Sequence, residues 1–358
     1  LVGEFSGFFN CLKEGLIELG HDVFLASGGD GYRNYPSDYR WDYHLPGFLR
    51  HLNGPLSALD VSFHLNHLKG YDVVHVVNSH PLGNLKHINV NFFKFLKKHN
   101  GKVFLSGAGL EFKGMRYWYG LKDSKYFNYV NALLEEKRNQ GKPFPFLTRD
   151  DLLREEEEIH SLIDGYIPIM YEYVPYMKDS SKIKPTIPIP INLNKFTYHP
   201  NTLNSDGKLV FFHGISRPCK GGNFIIGAFD KLREKYKTEA IFMARGGVPF
   251  DEYVQILRNS NVVLDDANAY SLGMNSLFSM AQGRVVMGGA EEVANKELNY
   301  SFCPAFNLKA DIEYISEQIE NIINNKDQIQ EWGLQSRRLV EEYHDYIHVA
   351  ELYLATWS

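Results

Sequence analysis

Long hydrophobic runs are missing from this chain. No apolar stretch reaches the roughly 18–20 residues that cross a bilayer, and no charged, apolar and small-residue leader opens it. The opening LVGEFSG reads instead as the end of a first strand, so the expectation is that part of that strand lies upstream of Leu1. Cysteine is scarce: Cys11, Cys219 and Cys303 are odd in number and far apart. They form neither a disulfide framework nor a metal-ligand spacing, which points to a reducing, cytoplasmic compartment. A basic excess is also lacking. With 38 Lys and Arg against 43 Asp and Glu, the formal charge is −5, which argues against nucleic acid as a main partner. Neither G-x-G-x-x-G nor G-K-[ST] occurs, and there is no short-period repeat.

What is present is enough for two ordinary cores. The 358 residues are 44% apolar and 23% charged, a soluble globular composition spread over about two domains of typical size. Strand and helix signals alternate along the first half. FFNCLKEGLIELG reads as a helix stopped by Gly20, HDVFLAS and YDVVHVV (71–77) as strands, and INVNFFKFLKKHN (88–100) as a helix. KVFLSG (102–107) and IDGYIPI (163–169) read as further strands. Residues 148–163 form an acidic helix for which Thr148 and Asp151 offer a cap. Four prolines, at 185, 188, 190 and 200, make 182–200 an extended connector,. Alternation then resumes: KLVFFHG, TEAIFMA, NVVLDD and RVVMGG as strands, with helical patterns between them and a helical tail. Val- and Ile-rich strands between amphipathic helices predict parallel sheets covered on both faces. The expected fold class is α/β, two Rossmann-like doubly wound domains facing across a cleft. The expected domains are 1–188, 189–338, and a final helix, 339–358, crossing back to the first. Open sheets of this kind bind ligands at the carboxyl ends of their strands.

Three glycine turns stand at such ends. After KLVFFHG, Gly214 leads into ISRPCKGG, where Arg217 and Lys220 lie three apart beside Gly221 and Gly222. Glycine allows close backbone approach, Arg offers a planar fork and Lys a compact charge. The loop is either a solvated βα connection or a seat for a ligand of concentrated negative charge, such as a diphosphate. After NVVLDD, Asp265 and Asp266 open a polar loop that passes Gly273 into a helix at Met274, Asn275 and Ser276. A helix start with unbonded N–H groups attracts anions; simple capping by Ser271 or Asn275 is the alternative. The third turn, Gly3 to Gly7, is a weak phosphate loop. Glu111 and His80 end strands of the first half, Glu111 as a candidate base for an acceptor or an ordinary exposed carboxylate, His80 as a group to orient a sugar hydroxyl or a residue without a role. GGVPFDEY (246–253) is a candidate frame for a nucleotide base or an ordinary turn. Cys219, beside Lys220, is either a somewhat acidic thiol or a plain loop residue. His344 and His348 lie four apart with no third ligand nearby, and no metal site is expected. The aromatic content is 14%, and the stretch 112–127, rich in it, suits a sugar acceptor, a peripheral membrane surface, or a flap packed on the first domain.

The HGISRPCKGG and LDDANAYSLGMNSLFSMAQGRVV segments resemble the second domain of GT-B glycosyltransferases, and more narrowly the family 4-like enzymes of bacterial polysaccharide synthesis. Lys220-Gly221 match that family's KG. Gly273, Ser279-Met280-Ala281, Gly283 and Val285-Val286 match its G-x-x-x-x-E-A-M-A-x-G-x-P-V segment. GHDVFLAS, YDVVHVV and PIPINLNKF echo its first domain and linker. The resemblance spans nearly the whole chain and implies transfer of a sugar, with retention and without a bound metal or cofactor, from a UDP- or GDP-sugar to a glycan or lipid-linked acceptor. It also implies that Arg217 and Lys220 grip the donor diphosphate and that the helix start at Met274, Asn275 and Ser276 cradles it; Gly7, Gly214, Gly221, Asp265 and Gly273 are candidates for the same site from the turns themselves. The family's E-x7-E pair falls on Tyr270 and Phe278, and the Arg-to-Lys spacing is three rather than about five. Those departures keep two other readings open, a catalytically degenerate sugar- or nucleotide-binding module and a nucleotide-sugar epimerase of the same fold.

Overall fold

The structure is a computed structural model that describes residues 1–29, 35–43, 45–83, 87–109, 111–141 and 149–358. The elements of the first part are α1 (Phe8–Glu18), β1 (Ala26–Ser27), β2 (Tyr39–Arg40), α2 (Asn53–Phe63), β3 (Val73–Val76), α3 (Ile88–His99), β4 (Lys102–Gly107), α4 (Phe112–Gly120), α5 (Lys125–Asn139), α6 (Asp150–Leu162) and β5 (Gly165–Pro168). The rest supplies β6 (Leu209–Ile215), α7 (Gly222–Arg233), β7 (Ala240–Gly246), α8 (Phe250–Arg258), β8 (Val262–Leu264), α9 (Met274–Ala281), β9 (Val285–Gly288), α10 (Glu292–Glu297), β10 (Phe306–Asn307), α11 (Ile312–Asn324), α12 (Ile329–Tyr343) and α13 (Tyr346–Trp357). Thr148, read as a helix cap, lies outside the described residues.

The chain divides into two compact units. The first comprises Leu1–Tyr117, Pro145–Pro190 and Tyr346–Ser358. Its strands β3, β4 and β5 pair in parallel, and Val2 bridges in parallel to both Ala26 and Val76, joining β1 and β2 to the same sheet. Val76, Leu105 and Tyr166 form the middle of its core with Phe93 and Leu96 from α3. Helix α13 belongs to this unit and packs on α1. They approach closely: a Cβ on Gly15 would meet the Tyr346 carbonyl oxygen at 2.2 Å.

The second unit comprises Trp118–Phe144 and Ile191–Asp345. Its sheet is parallel throughout in the order β10-β9-β8-β6-β7. Nearly every residue of β6, β8 and β9 is buried, as their continuous apolar runs require when helices cover both faces. Phe211, Phe229, Val262 and Ile319 form the core on one face. The connector 182–200 is extended as the prolines dictate, yet it is not a solvated linker. Ile187, Ile189 and Ile191 are buried. Ile187 donates its N–H to the Pro168 carbonyl at 2.9 Å, and Ile191 to the His344 carbonyl at 2.7 Å. Among the described residues no helix is long and apolar enough to cross a membrane.

Candidate functional site

The carboxyl edge of the second sheet gathers most of the residues singled out above. Gly214 is the last residue but one of strand β6, and a Cβ there would press on the Tyr253 ring at 3.1 Å. Tyr253, the end of the GGVPFDEY stretch, thus lies over Gly214, with its ring centroid 5.8 Å from that of Phe212. The following turn is a single 3-10 segment, Pro218–Lys220, closed by Gly221 at φ +72°, where a side chain would be strained. Three bonds tie this turn to the loop after β8. The Lys220 carbonyl accepts from the Ala267 N–H (3.0 Å), the Cys219 carbonyl accepts from Asn268 Nδ2 (2.8 Å), and Lys220 Nζ donates to Asp265 Oδ1 (2.8 Å). The amine is therefore held in place by both loops.

Asp265 links that amine to α9. Its other oxygen accepts from Ser276 Oγ at 3.0 Å. Burial pushes the Asp265 carboxyl up, but Lys220 and Ser276 outweigh it and hold the group below its usual range. Burial likewise pulls the Lys220 ammonium down, and the Asp265 and Asp266 charges reverse this and hold it high. Both are ionised at neutral pH. The Lys220 side chain is 22% exposed, and among the described residues Asp265 is its one acceptor, which leaves two of its N–H bonds for a ligand,.

The start of α9 is open. Gly273 at the cap is extended and makes no side-chain cap, and among the described residues the N–H groups of Met274, Asn275 and Ser276 have no acceptor. The start of α1 shows the contrast. There the Glu4 carboxylate accepts the N–H of Gly7 and that of Asn10, each at 2.9 Å. The Gly7 turn, read as a weak phosphate loop, thus already holds an anion of the protein's own.

Other candidates sit differently from their sequence reading. Arg217 is exposed at the head of the turn, its charge near the Tyr129 phenol and the Cys219 thiol. Cys219 is not an acidic thiol: it is fully buried, and burial raises it. Phe278 is a core residue, stacked on Phe196 with ring centroids 4.3 Å apart. Tyr270 stacks on Trp118 at 5.5 Å. The 112–127 stretch is neither a flap confined to the first unit nor a displayed aromatic surface. Phe112, Met115, Trp118 and Tyr126 are buried. Helix α5 joins the second unit by packing on the Pro218–Lys220 turn. It is also anchored by Lys125, whose Nζ lies 3.1 Å from both Glu291 Oε1 and Asn307 Oδ1.

No family model and no curated protein sequence matches the chain. Solved structures do. A sucrose-phosphate synthase from Thermosynechococcus elongatus is similar at a TM-score of 0.64 and 14% identity, over 97% of this chain and 92% of that one. Alr3699/HepE of Anabaena, crystallised with UDP and glucose, gives 0.62 at 12% identity over 99% and 98%. WaaG, a glycosyltransferase involved in lipopolysaccharide biosynthesis, gives 0.59 at 12% identity over 99% and 97%. The fold is GT-B. Its two Rossmann-like domains with parallel sheets are those expected from the strand and helix alternation.

In the first unit of this GT-B chain, Glu111 is not the exposed carboxylate expected of it. It is buried. Its Oε2 accepts from the Tyr166 and Tyr176 hydroxyls, each at 2.8 Å, and Oε1 lies 3.4 Å from His160 Nε2. Burial raises the carboxyl, while His160 and the two phenols bring it below its usual range. With three protein donors around it, Glu111 acts as the acceptor that organises this corner, and the base role read from the sequence does not fit. His80 is also buried. Its Nδ1 is 2.9 Å from Ser79 Oγ, its ring stands edge-on to Phe112, and Nε2 has no partner among the described residues. Burial lowers it to about 4, so it is neutral at physiological pH. Beneath both lies Glu156, which accepts from Ser79 Oγ and from the Phe112 and Lys113 N–H groups that begin α4. Neither Glu156 nor His160 was marked by the sequence, where EEEEIH reads as the polar face of a helix. His344 bonds the Tyr300 hydroxyl, while the His348 Nδ1 lies 3.7 Å from Glu351. Among the described residues no three His, Cys, Asp or Glu side chains gather as a metal would require.

Proposed function

We propose that the protein is a glycosyltransferase that moves a sugar from a nucleoside-diphosphate sugar to a glycan or lipid-linked acceptor. The observation that carries this is the open start of α9 beside the Lys220 amine, at the carboxyl edge of a parallel sheet. Three unbonded N–H groups and an ammonium with two donors to spare suit a diphosphate. The ligands crystallised with similar structures, UDP and glucose in Alr3699/HepE and UDP-glucose in another of its complexes, agree with that ligand class.

In this reading the unit around 189–338 binds the donor and the unit around 1–188 the acceptor. The bond from the sugar C1 to the diphosphate oxygen breaks, and charge gathers on the leaving phosphate. Lys220 and the N–H groups of Met274 to Ser276 stabilise that charge without rearranging, which is where such groups lower a barrier most. The acceptor oxygen forms the new bond to C1, and its proton passes to the departing diphosphate. Retention of configuration, a UDP or GDP leaving group, cytoplasmic residence and independence of metal are parts of the same proposal, carried by the resemblance of the motifs. Gly214 and Gly221 admit the phosphates to the backbone, and Asp265 sets the Lys220 amine. Arg217 adds a charge at the rim.

A second reading, a binding module without turnover, draws on Phe278, whose place in the core beside Phe196 leaves no carboxylate there. Turnover separates the two. Release of nucleoside diphosphate from a panel of UDP- and GDP-sugars with mixed glycan acceptors should be seen for the wild type. Lys220→Ala should lower kcat/KM by about 2–4 kcal/mol, or roughly 30- to 1000-fold. Tight donor binding with no release from any sugar would favour the module.

A further inference from the structure

Glu291 stands just beyond β9 on the same sheet edge, and no motif assigns it a role. Its N–H donates to the Tyr270 carbonyl at 3.0 Å, which fixes it against the loop leading into α9. Gly288, three residues earlier, lies so near the first turn of α9 that a Cβ there would meet Ser276 Oγ at 3.3 Å. The Glu291 side chain is 28% exposed. Both of its hydrogen bonds fall on one oxygen, Oε1, from Lys125 Nζ at 3.1 Å and Asn307 Nδ2 at 2.8 Å. Among the described residues Oε2 accepts nothing. Burial pushes the carboxyl up, but Asn307 and Lys125 outweigh this and keep it below its usual range. The site therefore offers a held, ionised carboxylate with one oxygen unoccupied.

That chemistry selects its ligand. A carboxylate repels phosphate, so the diphosphate belongs at Lys220 and the α9 start, not here. What an unoccupied carboxylate oxygen takes is a hydroxyl donor, in a charge-assisted hydrogen bond. The hydroxyl-rich, uncharged part of a nucleotide sugar is its pyranose. We infer that Glu291 accepts hydroxyl hydrogen bonds from the sugar of the donor through Oε2, with Asn307 holding the carboxylate in place. The inference rests on the donor site proposed above and specifies its sugar end. Lys125 is an anchor of α5 that neutralises Oε1 and need not touch the sugar.

Calorimetric titration tests it with UDP, GDP, UDP-glucose, UDP-N-acetylglucosamine and GDP-mannose, against wild type, Glu291→Gln and Lys125→Met. Glu291→Gln should bind the free diphosphates as the wild type does. It should shift the ratio of sugar-nucleotide to diphosphate affinity by about tenfold or more against the sugar nucleotide, the effect of one charge-assisted hydrogen bond. Lys125→Met should leave that ratio within about threefold, since it keeps the carboxylate. An unchanged ratio in Glu291→Gln overturns this inference and leaves the donor site standing. So does an equal loss of sugar and diphosphate binding in both variants, which would make Glu291 merely the partner that docks α5. A wild type that binds no nucleoside diphosphate overturns the donor site and the inference together.

Discussion

Lys220, Asp265 and Ser276 work as a relay of fixed charge. The amine cannot swing to solvent without leaving a buried carboxylate alone, so it waits where a phosphate oxygen would arrive. Lys220→Ala should consequently lose stability as well as ligand, by about 3 kcal/mol for an orphaned buried charge. Adding Asp265→Asn should recover most of that stability in chemical denaturation and none of the nucleotide affinity. If the double variant regained affinity as well, the amine would be structural only. A second residue-scale test lies in the first unit. Burial, with the Glu111 charge behind it, lifts Glu156 to about 7 from the usual 4.5. Burial lowers His160, yet Glu111 more than offsets this and holds it above its usual value. As pH rises above 4.5 the unfolded chain has given up the Glu156 proton that the folded protein keeps, and above 6.5 the same is true of His160. Through these two groups unfolding releases protons, and the stability they contribute falls as pH rises through about 7. Glu111, held low, opposes this only below its usual range. His80, held low by burial, pulls the other way below about 6.5, so the assignment is read from a difference: from pH 5.5 to 8 the melting temperature of the wild type should fall relative to that of Glu156→Gln, and an equal slope in both would contradict the assignment.

At the scale of elements, two helix starts show how one geometry serves two ends. Helix α1 begins on the Glu4 carboxylate, which takes the N–H groups of Gly7 and Asn10, whereas among the described residues no side chain caps the N–H groups that start α9. Both were visible as glycine turns after strands. The difference was not, because it depends on where one side chain folds back. Runs such as KLVFFHG and RVVMGG were legible as buried strands because their composition leaves few other options. Helix α5 was legible neither as an element nor in its placement. Its anchor is a set of single contacts, Lys125 on Glu291 and Tyr129 near Cys219, that leave no period in the sequence. Phe278 was read as a lost carboxylate, while its stacking on Phe196 shows a position absorbed by packing. Glycines give an independent check on the elements. Gly15→Ala should destabilise the α1–α13 packing by about 1–3 kcal/mol through its clash with the Tyr346 carbonyl,. Gly54→Ala, in α2 with open space around it, should be neutral or stabilise by up to about 1 kcal/mol. Urea unfolding of the two variants would show opposite signs; equal losses would place α13 elsewhere.

At the scale of the whole molecule, the chain is interleaved. Trp118–Phe144 leaves the first unit to join the second, and Tyr346–Ser358 returns to the first. Four chain crossings make either unit incomplete when expressed as a simple half, so binding is best measured on the full chain. A ligand that occupies only the folded state raises its stability by about 2.7 kcal/mol at one hundred times its dissociation constant. The most direct measurement is thermal unfolding of the full chain and of Lys220→Ala with and without millimolar UDP and GDP. The account predicts that at least one of the two diphosphates raises the wild-type melting temperature by several degrees and leaves Lys220→Ala unmoved. Equal shifts in both proteins, or none in the wild type with either nucleotide, would contradict it.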